Sequence, residues 1–439
     1  SRSNSKARSV LTSGFVYTAP LKALLESGRF NPFLLPGESQ SAEVLAELAG
    51  MSANGNELYH GETTSTTFDA TFNGSLGFSL WAKDEVQAAF GGEWRREEYS
   101  FGGPELWDTT LNPTTGGNAW IYQAAGDATN YIDGKARTVK AVYAEFLIPV
   151  VDTLNVTASG RYDDYDGFGG TFNPKYSFKW QPLDWLAIRG SYSTGFKVPD
   201  FARLFRGVTE SPTFGSGNDI ADPATCPGGE PSAEPGCENI YPTLLTGGNP
   251  NLKPEESEQR SIGVVFAPGD RFNISVDWWE IERLATIRST SLRELKDNYG
   301  IFSENWIRDA SGEVVQVDQR YVNTGGTLTR GIEVDANLRG DLMGGRWNLH
   351  LNGNYLDLYQ TKTLETSPWS DNQVGQFTSW GILPLKWKHT LSFSWSKGDW
   401  THALTQIFRD GYVDAPASTN GLYQPSRIRT GAYVPPDYD

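Results

Sequence analysis

The sequence predicts an all-β protein that forms part of an antiparallel transmembrane β-barrel, and three observations support this fold class. Polar and apolar residues alternate along most segments, the connections between segments are alternately short and long, and the segments have the length of barrel strands. A tilted strand needs about 9 to 11 residues to cross the hydrocarbon core of a membrane, and most of the predicted strands have about 10 to 14.

The alternation separates an apolar face from a polar face. In the segment RFNISVDWWEI, the residues Phe272, Ile274, Val276 and Trp278 share one face, and the polar residues between them share the other. The same pattern recurs in TLNVTASGRYDDY, WLAIRGSY, RWNLHLNGNY and HTLSFSW. A soluble β-sandwich also alternates, so the connections must decide between the two folds.

The connections differ in length in a regular way. Short turns rich in Pro, Gly and Asp are predicted at 148–152, 181–184, 267–270, 340–345 and 397–399. The intervening connections are long, at about 100–134, 195–255, 286–317 and 360–384, and 166–170 is the one short exception. In an up-and-down meander this alternation places the long connections at one rim and the short turns at the other, as in outer-membrane barrels.

Twelve or thirteen strands are predicted within residues 60–439, which we expect to form the barrel portion. They lie at 60–75, 86–99, 136–148, 153–165, 172–181, 184–194, 256–267, 270–285, 318–339, 346–359, 385–396 and 400–411, with another beginning near 428. Residues 1–59 are predicted to be an elaborated loop region with short helices in LKALLESGRFNPF and SAEVLAELAG, and with a strand around 9–17.

The composition argues against several classes of protein. No run of 18 apolar residues occurs, which excludes a transmembrane helix, and the mean hydropathy of -0.45 is compatible with strands whose two faces average out. The formal net charge of -16 repels phosphate backbones, so nucleic acid is not expected as a partner, whereas a cationic ligand is attracted. Aromatic residues near strand ends fit interfacial girdles, namely Trp185, Trp278, Trp347, Tyr355 and Trp395.

The two cysteines, Cys226 and Cys237, lie in the Pro/Gly-rich segment DPATCPGGEPSAEPGCEN. We predict a disulfide in an oxidising compartment, with two exposed thiols as the alternative. The four histidines are scattered and no third cysteine is present, so no metal site is predicted.

Three stretches resemble the TonB-dependent outer-membrane receptors. YSTGFKVPDFARLF is similar to a strand-end signature of their barrels, carried here by Tyr192, Gly195, Phe196, Lys197 and Pro199. GNPNLKPEESEQ resembles their Asn-Pro-x-Leu-Lys-Pro-Glu element, carried by Asn249, Pro250, Leu252, Lys253, Pro254 and Glu255. VNTGGTLTRGIEVDA resembles a further barrel strand, carried by Asn323, Arg330, Gly331 and Glu333.

The resemblance implies a barrel of 22 strands, of which this chain supplies about 12 to 14, with short periplasmic turns and long extracellular loops. It also implies TonB-energised uptake of a scarce nutrient across the outer membrane of a Gram-negative bacterium. The cargo classes are iron siderophores, cobalamin, oligosaccharides and peptides, and no cofactor is implied. The partners are outer-membrane lipid and a TonB–ExbB–ExbD complex that acts through a plug domain. No plug is found in these residues, so the chain is expected to be part of a longer receptor.

The motifs also have a direct physical interpretation. The prolines at 250 and 254 favour extended backbone in the residues before them, so they direct a wide loop back into the wall. Arg330 and Glu333 are an odd number of residues apart, which places them on opposite faces of a regular strand. A bulge near Gly331 or an interfacial position of one of them accommodates both charges, because an arginine facing lipid at mid-membrane costs about 2 to 4 kcal/mol.

Five polar residues are predicted on the inner, wet face of the wall: Arg161, Asp163, Arg189, Asp277 and Asn352. They are candidates for ligand contact, and the alternative roles are a solvated wall and hydrogen bonds that dock a plug.

Other functions remain open on the residues alone. A secreted glycan-binding β protein would show a repeat of about 40 to 50 residues, which the sequence lacks. A passive porin would not need the proline-bracketed loop signature. An enzyme is not predicted, because no nucleophile elbow, phosphate loop or histidine-centred cluster accompanies the paired acids.

Overall fold

Fourteen strands hydrogen-bond in one antiparallel sheet whose order follows the chain. The computed structural model describes residues 1–102, 121, 131–213, 220–377, 383–413, 433–434 and 437–438. The sheet strands are β1 (Arg2–Val10), β2 (Glu57–Ser75), β3 (Gln87–Gly102), β4 (Ile132–Val151), β5 (Leu154–Tyr165), β6 (Gly169–Leu183), β7 (Leu186–Lys197), β8 (Glu255–Gly269), β9 (Phe272–Leu284), β10 (Gly326–Leu342), β11 (Gly345–Lys362), β12 (Trp387–Lys397), β13 (Trp400–Arg409) and β14 (Asp437–Tyr438). Among the described residues β1 and β14 do not pair with each other, so the sheet is an open part of a barrel wall.

All long connections leave from the same rim of this sheet. Val10 pairs with Glu57 and His60 pairs with Gly102, so the connections 11–56 and 103–131 emerge together. The turn between Val151 and Leu154 lies at the opposite rim with the other short turns, except for the one at 166–168, which shares the rim of the long connections. The predicted asymmetry of the connections is therefore confirmed.

Two strands begin far from their predicted positions. The strand near the N-terminus lies at Arg2–Val10, earlier than 9–17, because Leu11 turns into a small apolar cluster with Ala53 and Ile121. The strand predicted at 318–339 begins only at Gly326, because Val314–Asp318 pairs within the loops instead of the wall. The strand expected near 428 lies outside the described residues.

The two faces of the wall have opposite character. Phe68 and Phe72 on the outer face are 66% and 75% exposed, as a lipid-facing band requires. Near the short-turn rim, Trp185 packs edge-on against Phe266 with ring centroids 5.4 Å apart. The inner face carries charged and polar side chains, which the next section describes.

Two of the long connections fold together into one unit, here called the rim module (the described parts of 198–254 and 285–325). Its helices are α3 (Phe201–Phe205), α4 (Leu292–Asp297) and α5 (Tyr299–Phe302), with a 3-10 turn at Ser303–Asn305. Its short strands are Thr209–Pro212, Thr243–Thr246, Trp306–Arg308 and Val314–Asp318 in one sheet, and Ile287–Arg288 and Val322–Asn323 in another. Thr243–Thr246 pairs in parallel with Val314–Asp318, and Ile220 shares an apolar core with Val317, so each connection buries the other.

The remaining elements lie in other connections. α1 (Thr18–Glu26) and α2 (Ala42–Gly50) pack through Leu24 and Val44 in the connection 11–56. The strands Tyr412–Val413 and Tyr433–Val434 pair after β13. None of the described helices combines the length and the apolar character that crossing a membrane would require.

The disulfide predicted between Cys226 and Cys237 is present in the rim module. It joins residues 11 apart in sequence, and both cysteines are buried. A crosslink of this loop length stabilises by roughly 3 kcal/mol, and this effect acts mainly on the rim module.

We therefore expect Cys226→Ser to leave insertion of the protein into the membrane intact and to increase cleavage of residues 220–240 by external protease several-fold. Cleavage rates on intact cells measure this effect. Cys237→Ser is the matched variant, and the double variant should be no more sensitive than either single one, since each removes the same bond. An unchanged cleavage rate would contradict the stabilising role of the disulfide.

Candidate functional site: the inner wall and the loop-bearing rim

Asn323 ties two connections together at the rim. Its Oδ1 accepts a hydrogen bond from the Lys253 amide, and its Nδ2 donates to the carbonyls of Lys253 and Ala285, all at 2.8 Å. One side chain thus satisfies three backbone groups that no strand partner could reach. The residues named by two separate sequence motifs meet here.

The Asn-Pro-x-Leu-Lys-Pro-Glu element is anchored on the same neighbour. Leu252 is 4% exposed and belongs to a buried cluster with Ile287. The Glu255 carboxylate accepts from the Ile287 amide at 2.6 Å, and Asn249 donates to the Tyr321 carbonyl at 2.8 Å. Pro250 lies in the turn before Leu252, and Pro254 directly precedes β8. The element therefore acts as the structural return of the loop into the wall.

The stretch YSTGFKVP forms the rim end of β7 and the step into α3. Pro199 is fully buried, and its carbonyl accepts from the Arg137 guanidinium at 2.8 Å. The same guanidinium lies 4.8 Å from the Phe201 ring centroid, and Phe196 meets Tyr165 edge-on at 5.3 Å. Tyr192, Gly195 and Lys197 are the register partners of Arg260, Ser257 and Glu255 on β8.

Arg330 lies on the outer face, beside the rim end of the apolar band. It pairs with Asp357 at 2.7 Å and with Glu280 at 3.8 Å. The register of β10 and β11 shifts between Arg330 and Gly331, which leaves Asp357 as the extra residue on β11. The bulge thus belongs to the neighbouring strand, so Arg330 and Glu333 remain on opposite faces, and the unpredicted carboxylate of Asp357 neutralises the arginine.

Gly331 lies directly after this register shift, at a position where a side chain would have no space. A Cβ at this position would lie 2.5 Å from the Tyr355 carbonyl and 2.9 Å from the Trp279 ring. Glu333 follows on the inner face, where it is exposed and accepts a 3.4 Å hydrogen bond from Asn354.

Six charged side chains form a continuous chain of ion pairs on the inner face of β3, β4 and β5. In order they are Asp163, Arg161, Glu93, Arg95, Glu97 and Arg137, and each neighbouring pair lies between 2.6 and 3.0 Å. The acids and bases are equal in number, so the chain is neutral. Asp163 is only 5% exposed, so its pairing with Arg161 offsets the cost of burying a charge.

An open pocket of about 500 Å³ lies on this part of the inner wall. Thr67, Asp69, Glu93, Arg95 and Arg161 are among its lining residues. The Tyr143 ring, which also lines it, lies flat over the wall because Gly91 has no side chain, and its hydroxyl contacts Thr71 at 2.5 Å. The pocket is open and most of its lining side chains are charged or polar, which suits a protein or water neighbour more than an apolar ligand.

Arg189 and Asp277 form a second, separate pair on the inner wall. The two residues lie on strands that are not adjacent, β7 and β9, with Gly263 of β8 between them in register. Two hydrogen bonds of 2.8 and 2.7 Å join them across the glycine. A Cβ on Gly263 would lie 2.0 Å from Asp277. Gly263 was not among the predicted residues, although its place on the polar face of an alternating strand is a sequence feature that could have identified it.

Asn352 belongs to a third group. It donates to Asp335 at 3.2 Å, and His350 contacts the same carboxylate at 2.9 Å. The five predicted inner-wall residues therefore lie on one face but form three clusters rather than one site. Among the described residues, no three His, Cys, Asp or Glu side chains converge as they would around a metal ion.

The rim module is held by charges that cross between its two connections. Arg308 binds Asp222 through two hydrogen bonds of 2.6 and 2.7 Å, and Lys296 pairs with Glu230 at 2.6 Å. The bonds from Arg308 hold the pKa of the Asp222 carboxyl below its ordinary value, and the amide of Ala224 adds to this effect.

Most of the net negative charge lies at this rim. The described parts of the seven connections that emerge here contain 20 acidic and 11 basic residues, a net charge of -9 out of -16 for the chain. The described part of this rim is therefore acidic.

Asn323→Ala should loosen the rim, because it removes three hydrogen bonds to the exposed or half-buried backbone groups of Lys253 and Ala285, each of which contributes about 0.5 to 1.5 kcal/mol. Asn323→Asp keeps the acceptor for the Lys253 amide but places a negative charge beside two carbonyl oxygens, so we expect it to destabilise the rim at least as much as Asn323→Ala. Asn251→Ala, at an exposed neighbouring position, is the control. The urea midpoint of the detergent-solubilised protein and amide exchange at 250–256 are the measurements, and exchange equal to the control would refute the role of Asn323.

Acid should open the rim module through Asp222. Because its pKa is lowered in the folded state, the stabilisation is complete above the unfolded value of about 4 and is lost as the pH falls through the lower folded value. Amide exchange of 220–226 should be constant from pH 7 to pH 5, after correction for intrinsic rates, and should rise below pH 4. In Asp222→Asn this rise should be much smaller. An identical acid response in both proteins would assign the opening to other groups.

The family model described as TonB dependent receptor-like, beta-barrel matches residues 9–439. A curated relative, a probable TonB-dependent siderophore receptor PirA of Acinetobacter baumannii, is 24% identical over 218 residues, which are 50% of this chain and 25% of that protein.

Solved structures share the fold. The siderophore receptor PirA from Acinetobacter baumannii aligns with a TM-score of 0.52 and 16% identity over 83% of this chain and 44% of its own. A variant of the ferric enterobactin receptor PfeA from Pseudomonas aeruginosa, in complex with enterobactin, aligns with a TM-score of 0.56 and 16% identity over 89% of this chain and 48% of its own. The outer membrane transporter YddB from Escherichia coli aligns with a TM-score of 0.51 and 14% identity over 88% of this chain and 47% of its own.

The chain thus spans about half the length of these structures and a quarter of the curated relative. The fold and the family are those of outer-membrane transport receptors and not of enzymes. Since the family model covers nearly all of the sequence and the three motifs meet at one rim, the chain belongs to the TonB-dependent receptor β-barrel family of the Gram-negative outer membrane.

Proposed function

We propose that this chain is the barrel portion of a receptor that takes up a scarce nutrient across the outer membrane with energy delivered by TonB. Residues 60–439 supply the wall and its long extracellular loops, and residues 1–59 supply a strand and an elaborated loop. The family match over residues 9–439 is the observation that carries the proposal. The ferric siderophores are the favoured class of cargo, because the PirA proteins named above are siderophore receptors.

The inner wall supports a plugged rather than an open barrel. Its arginines, such as Arg161 and Arg189, are paired with wall carboxylates, and polar groups such as Glu333 remain exposed to the interior. These groups can dock a polar plug domain, on which the TonB–ExbB–ExbD complex would act. Ligand contact by the five inner-wall residues is a second role that the exposed members can fill.

The acidic rim bears on the charge of the cargo. A net charge of -9 over the described part of this rim repels polyanionic complexes and attracts cationic ones over the Debye length of about 8 Å at physiological salt. Within the siderophore class, neutral and cationic ferric complexes are therefore favoured.

Neither alternative has comparable support. A passive porin would not require the rim motifs, and a secreted glycan-binding protein would not match a membrane-barrel family over its length.

The uptake of radioactive iron tests this proposal. The full-length receptor that contains this chain is expressed in an outer membrane without other siderophore receptors, and ferric complexes of the hydroxamate, catecholate and carboxylate classes are supplied. We expect uptake of at least one complex, reduced at least tenfold when TonB is deleted. Uptake that is independent of TonB would support a porin, and no uptake of any complex would exclude siderophores as cargo.

A further inference from the structure

The outer face of β1 to β4 has three cations at the upper edge of the apolar band. Phe68 and Trp94 are register partners, and their rings lie 5.7 Å apart between centroids. Lys140 is the next residue in the same row, because it pairs with Trp94. One row closer to the long-connection rim, Thr66 pairs with both Arg2 and Arg96. Residues two apart in a strand share a face, so all these side chains point outward with Phe68.

These cations are close enough to bind one anionic group. Arg2 and Arg96 flank Thr66 on successive strands, which places their Cα atoms about 10 Å apart. Lys140 is the diagonal neighbour of Arg96, at about 7 to 8 Å. Thr66 and Thr138, which is the other register partner of Arg96, add hydroxyl donors to the same row. Long, flexible basic side chains can converge over such distances.

The carboxylates nearby do not neutralise this group. Arg96 pairs with Glu98 at 3.0 Å and is still 47% exposed, while Asp164 faces Lys140 in register. Within the described ranges, neither Arg2 nor Lys140 has a carboxylate within 4 Å, so two of the three cations form no ion pair in the wall. Glu62 interacts with Arg2 at longer range, but its own ion pair is with Lys6 at 3.2 Å.

A second charged group on the outer face of the wall shows the contrast. On β8 to β11, Arg260 lies 3.0 Å from Glu258 and 3.7 Å from Glu280, and Arg330 pairs with Asp357 and Glu280. There the acids outnumber the bases, and each arginine is held by two carboxylates. Of these two groups, the one on β1 to β4 therefore contains cations that form no ion pair with the wall and can bind an external anion.

We propose that Arg2, Arg96 and Lys140 bind the phosphate group of a phosphorylated glycolipid in the outer leaflet of the outer membrane. The site lies where the apolar band ends toward the extracellular rim, which is the depth of the lipid head groups. Phe68 and Trp94 directly below it contact the acyl chains, while guanidinium and ammonium groups bind the phosphate. The proposal does not depend on which nutrient the receptor carries.

Native mass spectrometry of the purified full-length receptor tests this site with three probes: bisphosphorylated lipid A, the same lipid after enzymatic removal of its phosphates, and inorganic phosphate. The variant Arg2→Gln/Arg96→Gln/Lys140→Gln should lower occupancy by bisphosphorylated lipid A at least tenfold. The control Lys175→Gln/Lys179→Gln removes two exposed cations from the inner face and should leave occupancy unchanged. These exposed substitutions lie outside the buried core, and the heat-dependent shift in gel mobility confirms that each variant is folded.

Each alternative result overturns the proposal. Equal occupancy in the triple variant and the wild type would place the lipid elsewhere. Equal binding of dephosphorylated lipid A would show that the acyl chains alone are recognised. Retention of inorganic phosphate as strongly as lipid A would identify a free-anion site. If the triple variant fails the folding check, the single variants Arg96→Gln and Lys140→Gln decide, with at least a threefold loss expected for each and no loss refuting the site.

Discussion

The pairing of backbone groups between neighbouring strands is the constraint on which the rest of this structure depends. Hydrocarbon offers no hydrogen-bond partner, so every N–H and C=O within the membrane must be satisfied by an adjacent strand. The continuous register from β1 to β13 meets this requirement. Once the register is set, the alternation of side chains decides which residues face lipid and which face the interior, and a slip of one residue would exchange the two faces.

The inner wall shows how charges are accommodated within that register. Pairs such as Arg189 and Asp277 meet across an intervening strand because the residue between them is a glycine. In the same way, Arg161 reaches from β5 to Glu93 on β3, and Ala141 is the small residue between Glu93 and Asp163. Small residues in cross-strand rows are therefore part of the ionic network, although they carry no charge themselves.

At the rim the backbone leaves the sheet, and side chains instead of strand partners form the hydrogen bonds to its N–H and C=O groups. Asn323, Asn249 and Glu255 bind backbone groups of the neighbouring connection, and Leu252 fills the gap between them. The residues that identify the family are thus structural at this rim: they fix where each loop starts and ends. The surfaces left for recognition are those that the module exposes and those that face the interior.

The sequence by itself determined the fold class, the alternation of the two faces, the rim on which the long connections emerge and the cysteine pair. Each of these follows from local information: a period of two, the spacing of turn residues, and two cysteines in one short segment. The motif residues were identified by their resemblance to a family. The five inner-wall positions were found from the pattern, since the polar residues of a strand whose other face is apolar are expected on the inner face. The strand at Arg2–Val10 was displaced in the prediction because it lacks apolar alternation, with Arg2, Lys6 and Arg8 on its outer face.

Only the tertiary structure decided which residues meet. Whether Arg189 pairs with Asp277 depends on the register of three strands, and sequence separation carries no information about it. The joining of two connections into the rim module depends on a parallel strand pair between residues about 70 apart. Asn323 likewise binds a residue that is 70 positions earlier in the chain, Lys253. Long-range contacts of this kind are set by the global packing of the chain, because each local segment is compatible with many partners until the wall fixes its position.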